Sequence, residues 1–296
     1  MRTAFIEQLI AEAREDSNIF LITGDLGFSV LEPFAAEFPD RFLNAGVAEQ
    51  NMTGIAAGLA MEGHTVFTYS IANFPTLRCM EQIRYDICYH NLNVKVVAVG
   101  GGYAYASLGA SHHATEEIGM LRTLPNLAVC APGDPYEARA ITTFACKNSG
   151  PLYIRLGKAG EPSVHEHAIA VNGYESFEVI KGHKTAVLTT GAMLKYAFDF
   201  IRDKNTGEAL YSFPFIKPLD SKMVKSIALG YESIVTIEEH QRSAGFGSAI
   251  LECLHDLQER GEIKSIPPVK RIAIPDQFYS VAGTQDFLRQ LAGLTL

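Results

Sequence analysis

The sequence predicts an α/β protein of two domains with largely parallel sheets flanked by helices. Short apolar runs alternate with helical periodicity along the whole chain. Those runs are continuously apolar rather than alternating, as strands covered on both faces are. The rhythm breaks once, around residues 157–184, into Gly, Pro, Glu and His, and this break reads as a linker. The expected boundaries are residues 1–160 for the first domain, 161–184 for the linker and 185–296 for a smaller second domain.

The elements follow in order. The chain opens on a helix-like stretch, and Ile19 to Ile22 form a strand that ends in the turn Thr23-Gly24-Asp25-Leu26-Gly27. After Gly46-Val47-Ala48-Glu49-Gln50-Asn51, the residues Met52, Ile55, Ala56, Leu59 and Ala60 mark one face of a helix. The positions between them are Thr, Gly and Ala, so this helix is expected to be buried on all sides. Thr65 to Tyr69 and Val94 to Val99 are strands, with an amphipathic helix of about Thr76 to His90 between them. Leu127 to Cys130, a helix from Pro135 to Cys146 and the strand Leu152 to Arg155 complete the first set. The second set comprises the strand Ala186 to Thr189, a helix from Ala192 to Ile201, the strand Ser233 to Ile237 and a helix from Ser248 to Leu257.

Composition excludes several classes of function. At 296 residues with 47 % hydrophobic and 20 % charged residues, the chain has ordinary globular composition and room for two full cores. The net charge of −8 argues against nonspecific nucleic-acid binding, because no basic excess is there to displace counterions. The five cysteines are scattered and never form a CxxC pair, which fits free thiols in a reducing compartment. No apolar run approaches the roughly 18–20 residues needed to span a bilayer, and no basic-then-apolar signal opens the chain. A cytoplasmic protein without membrane attachment is the expectation.

Glu49 stands out because it puts a carboxylate in the first turn of an apolar helix. The helix dipole favours its ionised form by about 0.3–1 kcal/mol, while full burial raises a carboxyl pKa by up to roughly 3–5. Burial wins unless a partner shares the proton; the alternative is a capping Glu at the surface. Asp25 and the segment Gly100-Gly101-Gly102 through Ser111-His112-His113 to Glu116 also fall at strand ends, where open α/β sheets place ligands. The glycine triplet matches neither a dinucleotide loop nor a Walker loop. His112, His113, Glu116 and Glu117 have spacings that could hold a metal, but no further ligands cluster with them, and no metal site is expected in this chain. There is no GxSxG elbow. His165-Glu166-His167 in the linker reads as a solvated loop.

Taken together, these segments resemble the thiamine diphosphate-dependent transketolase family, over essentially the whole chain but only the C-terminal half of a full-length transketolase. Gly46-Val47-Ala48-Glu49-Gln50 resembles the G-[VI]-x-E-[QF] signature. Tyr69-Ser70 through Phe74 to Glu81-Gln82 resembles the aromatic segment after it. Ser111-His112-His113 resembles the T-H-Q element, and Leu152-Tyr153-Ile154-Arg155 the strand that ends in a substrate arginine. Ile216-Lys217-Pro218-Leu219-Asp220 and Glu238-Glu239-His240 with Gly245-Phe246-Gly247 resemble the C-terminal domain. The resemblance implies a pyrimidine-binding domain followed by a transketolase C-terminal-like domain. The cofactor's aminopyrimidine removes a proton from its own thiazolium carbon only when a carboxylic acid holds the far ring nitrogen. By resemblance Glu49 is that acid, Phe74 the stacking platform with Tyr69 as second choice, and Asp25 a wall of the cofactor cleft. His112 is implied to contact the substrate and assist proton transfer, with His113 beside it. Arg2, Ser29 and Arg155 match positions that hold an acceptor's phosphate. The family's phosphate-contacting histidine falls at Gly100, and its sugar-reading aspartate at Leu108. These departures point to a smaller, less hydroxylated or differently placed substrate.

In this family the diphosphate and its Mg2+ or Ca2+ are held by a GDG motif followed by Asn, and the sequence contains no GDG. The resemblance therefore implies a split enzyme: a separate N-terminal subunit supplies the diphosphate and metal site, in an α2β2 heterotetramer. The implied activity is transfer of a two-carbon ketol unit from a ketose or keto donor to an aldehyde. The beta chain of a 2-oxoacid dehydrogenase and a non-catalytic regulatory subunit of the same fold are the alternatives. A one-chain deoxyxylulose phosphate synthase is disfavoured because its first domain is absent. The second domain reads as a dimerisation and stability module.

Overall fold

The computed structural model describes residues 1–158 and 160–296; Ala159, where the sequence predicts the passage from first domain to linker, lies outside the described residues. The first set of elements is α1 (Arg2–Glu15), β1 (Ile19–Thr23), α2 (Glu32–Glu37), β2 (Phe42–Asn44), α3 (Glu49–Met61), β3 (Thr65–Ile71), α4 (Met80–Gln82), β4 (Val94–Val99), α5 (Glu117–Arg122), β5 (Ala128–Cys130), α6 (Pro135–Lys147) and β6 (Leu152–Leu156). The second is β7 (Phe177–Ile180), β8 (Thr185–Thr189), α7 (Met193–Lys204), β9 (Ala209–Ser212), β10 (Phe215–Lys217), α8 (Ser221–Gly230), β11 (Ser233–Gln241), α9 (Phe246–Glu259), β12 (Val269–Ile274) and α10 (Gln285–Leu291).

Among the described residues the strands form a seven-stranded sheet, β10-β5-β6-β4-β3-β1-β2, and a five-stranded sheet, β12-β11-β8-β9-β7. Every pairing is parallel except the edge pairs β10–β5 and β7–β9. The continuous apolar strands follow from cover on both faces. Phe5, Leu9 and Ile10 of α1 join Ile141 and Phe144 of α6 over Phe67 and Tyr69. Met52 and Ala56 of α3 cover Val66 and Val96 from the other side. The parallel strands of the first sheet end together, which brings Gly24-Asp25, the segment after β3 and the glycine triplet after β4 to one edge.

Four expectations change. First, α3 is buried on one side only. Glu49, Met52, Thr53, Ala56 and Ala57 are covered, while Gln50, Asn51, Gly54, Gly58 and Met61 are exposed. The outer residues are small or uncharged, and periodicity alone does not distinguish that from burial. Second, the predicted helix Thr76 to His90 is instead the short α4 running into a π-helical turn over Ile83–Cys88. The wider turn lets Ile83, Ile87 and Cys88 all reach the core.

Third, the predicted linker is not structureless. Phe177–Ile180 is a strand antiparallel to β9, and its Glu178 accepts a hydrogen bond from the Tyr211 hydroxyl at 3.1 Å. His165 is not solvated either. Its Nε2 lies 2.9 Å from Glu137 Oε1, while the backbone N–H groups of Val164 and His165 donate to Asp134 Oδ2 at 2.8 and 2.9 Å. Asp134 caps α6 with its other oxygen, so one buried carboxylate serves both helix and linker. Burial alone would lower the His165 pKa, but the Glu137 hydrogen bond and the charges of Glu137 and Asp134 outweigh it and the net shift is upward. Fourth, the two sets of elements interlock. β10 leaves the second set and pairs with β5, and the Ala131 N–H donates to Pro214 O at 2.7 Å.

Candidate active site

Glu49 is the first residue of α3, 2 % exposed, and no side chain caps the helix before it. Its Oε2 lies 2.7 Å from Nη1 of Arg78, a side chain that is itself 48 % exposed. Arg78 in turn sits over the Phe74 ring, 5.1 Å from the centroid. Phe74 meets His112 edge to face at 5.3 Å, and His112 Nδ1 is 3.0 Å from Ser111 Oγ. Asn73 ties the two loops together by donating to Ser111 O. Residues from three separate segments thus form a continuous line, Glu49–Arg78–Phe74–His112.

Asp25 closes one side of this group through the backbone. A Cβ on Gly24 would stand 3.5 Å from Glu49 Cγ, so the turn packs directly on the catalytic candidate. Asp25 itself is exposed and held by Asn44, which donates to Asp25 Oδ1 at 2.9 Å and accepts from the Asp25 and Gly46 N–H groups at 3.0 Å each. Asn44 therefore fixes the ends of β1 and β2 against the turn that delivers Glu49. Sequence reasoning missed Asn44 and Arg78. The signal for Arg78 was a lone cation among Leu77, Cys79 and Met80.

Several expected site residues lie elsewhere. Tyr69 stacks on Phe5 at 6.2 Å in the core under α1, on the opposite face of the sheet from α3, so it does not serve as the platform. Arg155 is not a free substrate arginine. Its Nη2 donates to Ala114 O at 2.6 Å and Glu239 O at 3.0 Å, and its Nε stands 2.9 Å from Glu117 Oε1, at ion-pair distance without hydrogen-bond alignment. Glu117 also accepts from the Tyr153 hydroxyl at 3.2 Å. Burial pushes the Glu117 carboxyl pKa up while Arg155 pulls it down, and the net direction is upward. His113 is buried against Tyr103, with Nε2 unpartnered, and burial lowers its pKa. Ser29 is exposed with a left-handed backbone, φ 63°, and its N–H donates to Glu32 at 2.7 Å. Arg2 lies at the start of α1 beside a cavity of about 220 Å3 that Phe28, Tyr69 and Tyr105 also line.

The glycine triplet has a structural explanation. A Cβ at Gly100 would stand 2.1 Å from the Tyr105 ring, one at Gly101 1.8 Å from Arg155 Nε, and one at Gly102 2.6 Å from Glu239 Cγ. Each glycine admits a side chain rather than a phosphate. The metal spacing also dissolves: Glu117 faces Arg155, His113 faces Tyr103, and Glu116 accepts from Thr115 at 2.8 Å. The widest groove, about 710 Å3, runs along the domain junction past His240. His240 donates from Nδ1 to Gln241 O at 2.8 Å and accepts at Nε2 from the Gly119 N–H at 3.1 Å, which leaves it no free nitrogen for chemistry. Burial, with help from Arg155, lowers its pKa to about 4. The Glu49 group is the better candidate for reaction.

Comparisons with known proteins agree with this architecture. Residues 1–160 match the transketolase pyrimidine-binding domain, and residues 177–296 the transketolase C-terminal domain. One of the two component chains of the apulose-4-phosphate transketolase of Phocaeicola vulgatus is 33 % identical over 93 % of this chain and 88 % of its own length. A 6-deoxy-6-sulfo-D-fructose transketolase subunit of a Clostridium species is 29 % identical over 100 % of this chain and 90 % of its own. Among solved structures, a split-gene transketolase described as an inactive beta4 tetramer superposes with a TM-score of 0.86 at 33 % identity, covering 99 % of this chain and 93 % of that one. Leishmania mexicana transketolase shares the fold, with a TM-score of 0.80 at 19 % identity over 99 % of this chain and 43 % of its own. No helix among the described residues is long and apolar enough to cross a membrane. Both parts of the chain and its whole-length relatives lead to the same conclusion: it belongs to the transketolase family.

Proposed function

We propose that this chain is the C-terminal subunit of a two-component, thiamine diphosphate-dependent transketolase that moves a two-carbon ketol unit from a ketose or keto donor to an aldehyde. The observation that carries this reading is the buried Glu49 carboxyl at the head of α3, in line with Phe74 and His112. The residues fit the pyrimidine end of the cofactor. Glu49 Oε1 has no hydrogen-bond partner among the described residues, and Oε2 is held only by a half-exposed arginine, so the carboxyl can be turned to a ring nitrogen. Phe74 is half-buried and offers a platform beside it. When bound, thiamine diphosphate supplies a carbanion that attacks the donor carbonyl.

The chain's own residues would then act as follows. Glu49 holds the pyrimidine ring nitrogen and its proton, Phe74 fixes the ring plane, and the Asp25 turn walls the cleft. His112, held by Ser111, hydrogen-bonds the substrate and moves its proton. The diphosphate and its Mg2+ or Ca2+ fall to a separate subunit, because the sequence has no GDG. Exposed Gly54 and Gly58 on α3, where an added Cβ meets nothing within 4 Å, give this subunit a smooth face for self-association in an α2β2 heterotetramer. We place the functional boundaries at residues 1–160 and 185–296, with β7 of the intervening segment belonging to the second sheet.

Glu49→Ala, mixed with the diphosphate-binding subunit and thiamine diphosphate, is expected to assemble normally and to lose turnover by at least about three orders of magnitude. Assembly is read by light scattering and turnover by ketol transfer to glyceraldehyde 3-phosphate. Near-normal turnover would overturn the reading. Reductive acetylation of a lipoyl domain by the wild type would point instead to a 2-oxoacid dehydrogenase.

A further inference from the structure

Beside the Glu49 group, the cavity at the end of β3 combines features that its structural neighbours do not use up. It is about 220 Å3, smaller than the roughly 300–1,000 Å3 of pockets that take a whole small ligand. A cavity of that size takes one end of a substrate. Arg2 Nε and the Tyr69 hydroxyl are both buried there without hydrogen-bond partners among the described residues. Tyr69 is 2 % exposed. Burial pushes its phenol pKa well up, with Arg2 pulling the other way, so it is a neutral donor at pH 7. Two unspent donors, one of them cationic, suit a terminal oxyanion. The nearby carboxylate, Glu161, is 2.7 Å from the Met1 amino group, and Lys158 Nζ stands 5.8 Å over the Tyr105 ring. The local charge therefore favours an anion.

Tyr105 sets the depth of this cavity. Gly100 has φ 80°, and any Cβ there would stand 2.1 Å from the Tyr105 ring. The ring and a side chain at position 100 exclude each other, so Tyr105 is the end wall on that side. Phe28, 73 % exposed, stands at the other side. Arg155, the other cation expected here, is tied to Glu117 and two carbonyls.

We propose that Tyr105 is a specificity-determining residue that limits the length of the substrate chain, whose terminal oxyanion is taken by Arg2 and the Tyr69 hydroxyl. This rests on the ketol-transfer reading above. The subsite takes a single-headed oxyanion on a short aldehyde, and phosphate and sulfonate heads share that chemistry.

The test uses the assembled two-subunit enzyme with thiamine diphosphate and fructose 6-phosphate or another ketose donor that turns over. The acceptors are glycolaldehyde phosphate, glyceraldehyde 3-phosphate, erythrose 4-phosphate, ribose 5-phosphate, unphosphorylated glyceraldehyde and a sulfonate-ended three-carbon aldehyde. Wild type is expected to favour the two- and three-carbon anionic acceptors over ribose 5-phosphate by at least tenfold in kcat/KM. Tyr105→Ala should shrink that ratio at least fivefold. Tyr105→Leu, which guards against a folding failure of the smaller variant, should shrink it in the same direction, and Tyr105→Phe should keep it. Arg2→Gln should raise KM at least tenfold for anionic acceptors and leave KM for glyceraldehyde within twofold. Comparing the sulfonate and phosphate acceptors tells which head the subsite prefers, and equal use of glyceraldehyde overturns the oxyanion assignment. Robust ketol transfer with an unchanged length ratio in both Tyr105→Ala and Tyr105→Leu overturns this inference alone. No transfer from any ketose by wild type overturns it together with the reading on which it rests.

Discussion

Truncating Arg155 to alanine tests whether this side chain serves the substrate or the fold. It lies between the two sets of elements, 8 % exposed at the side chain, against a Glu117 that is 0 % exposed. Removing it leaves the Glu117 carboxylate facing only the Tyr153 hydroxyl and an apolar surround. Breaking one side of a buried pair costs about 3–5 kcal/mol. Ala114 O and Glu239 O lose a charged donor as well, each worth about 1.5–3 kcal/mol in isolation. These terms share partners and do not add, so about 4 kcal/mol is the working figure. Against a total stability of about 5–15 kcal/mol, most of the margin is gone. With a urea slope of about 3 kcal/mol/M the unfolding midpoint should fall by roughly 1.3 M. Urea unfolding followed by circular dichroism measures it. Arg155→Met with Glu117→Gln, which removes both charges and keeps the volume, should recover more than half of the loss. The reasoning is refuted if Arg155→Ala unfolds at the wild-type midpoint while its KM for a phosphorylated acceptor rises tenfold, because that is the behaviour of a substrate arginine.

Three further outcomes follow from the same geometry. The His165–Glu137 contact makes the linker's hold on α6 depend on pH: His165 has a raised pKa in the folded protein, so its contribution is fully present below about pH 6.5 and fades as pH rises through the higher folded value. His165→Gln should therefore cost about 1.5–3 kcal/mol at pH 5.5 and clearly less at pH 8.5, and a difference that is flat across that range contradicts the pairing. Gly101→Ala puts a methyl group 1.8 Å from Arg155 Nε, where the backbone leaves no room to yield, and should cost about 1–3 kcal/mol by urea titration. Glu49→Gln, which keeps the shape but releases the Arg78 charge pair, should fold within about 1 kcal/mol of wild type, since Arg78 is half exposed, yet lose ketol transfer.

The sequence exposed what depends on local spacing. The parallel strands, the helix that Glu49 heads, and the approach of Phe74 and His112 to the same edge all follow from apolar periodicity and strand ends. It hid what depends on partners far away in the chain. Nothing near Arg155 announces that Glu239 O, 84 positions on, will accept its hydrogen bond, so an arginine at a strand end read as a free ligand. Tyr69 has the aromatic character of a platform, but strand alternation sends it toward Phe5 rather than toward α3. His165 looked solvated because its partners, Asp134 and Glu137, sit at the start of a helix 28 and more residues earlier. The outer face of α3 was misjudged for a different reason: Gly54 and Gly58 are as compatible with an open surface as with a packed one.

The glycine triplet connects these errors to the site. Gly100, Gly101 and Gly102 look like a phosphate loop because glycine permits close approach, but here the approaching groups are Tyr105, Arg155 and Glu239. Glu239 also accepts from the Tyr103 N–H at 2.7 Å and pairs with Arg289 of α10 at 2.5 Å. The loop after β4 is therefore pinned by the second set of elements on one side and filled by its own tyrosine on the other. That fixes both the wall of the proposed anion subsite and the start of the segment that delivers His112. On this account the second domain holds the substrate loop in place without contributing a reacting group. Variants of Arg289 or Glu239 should then alter acceptor KM and length preference together with stability, while variants of His112 alter turnover with little change in stability.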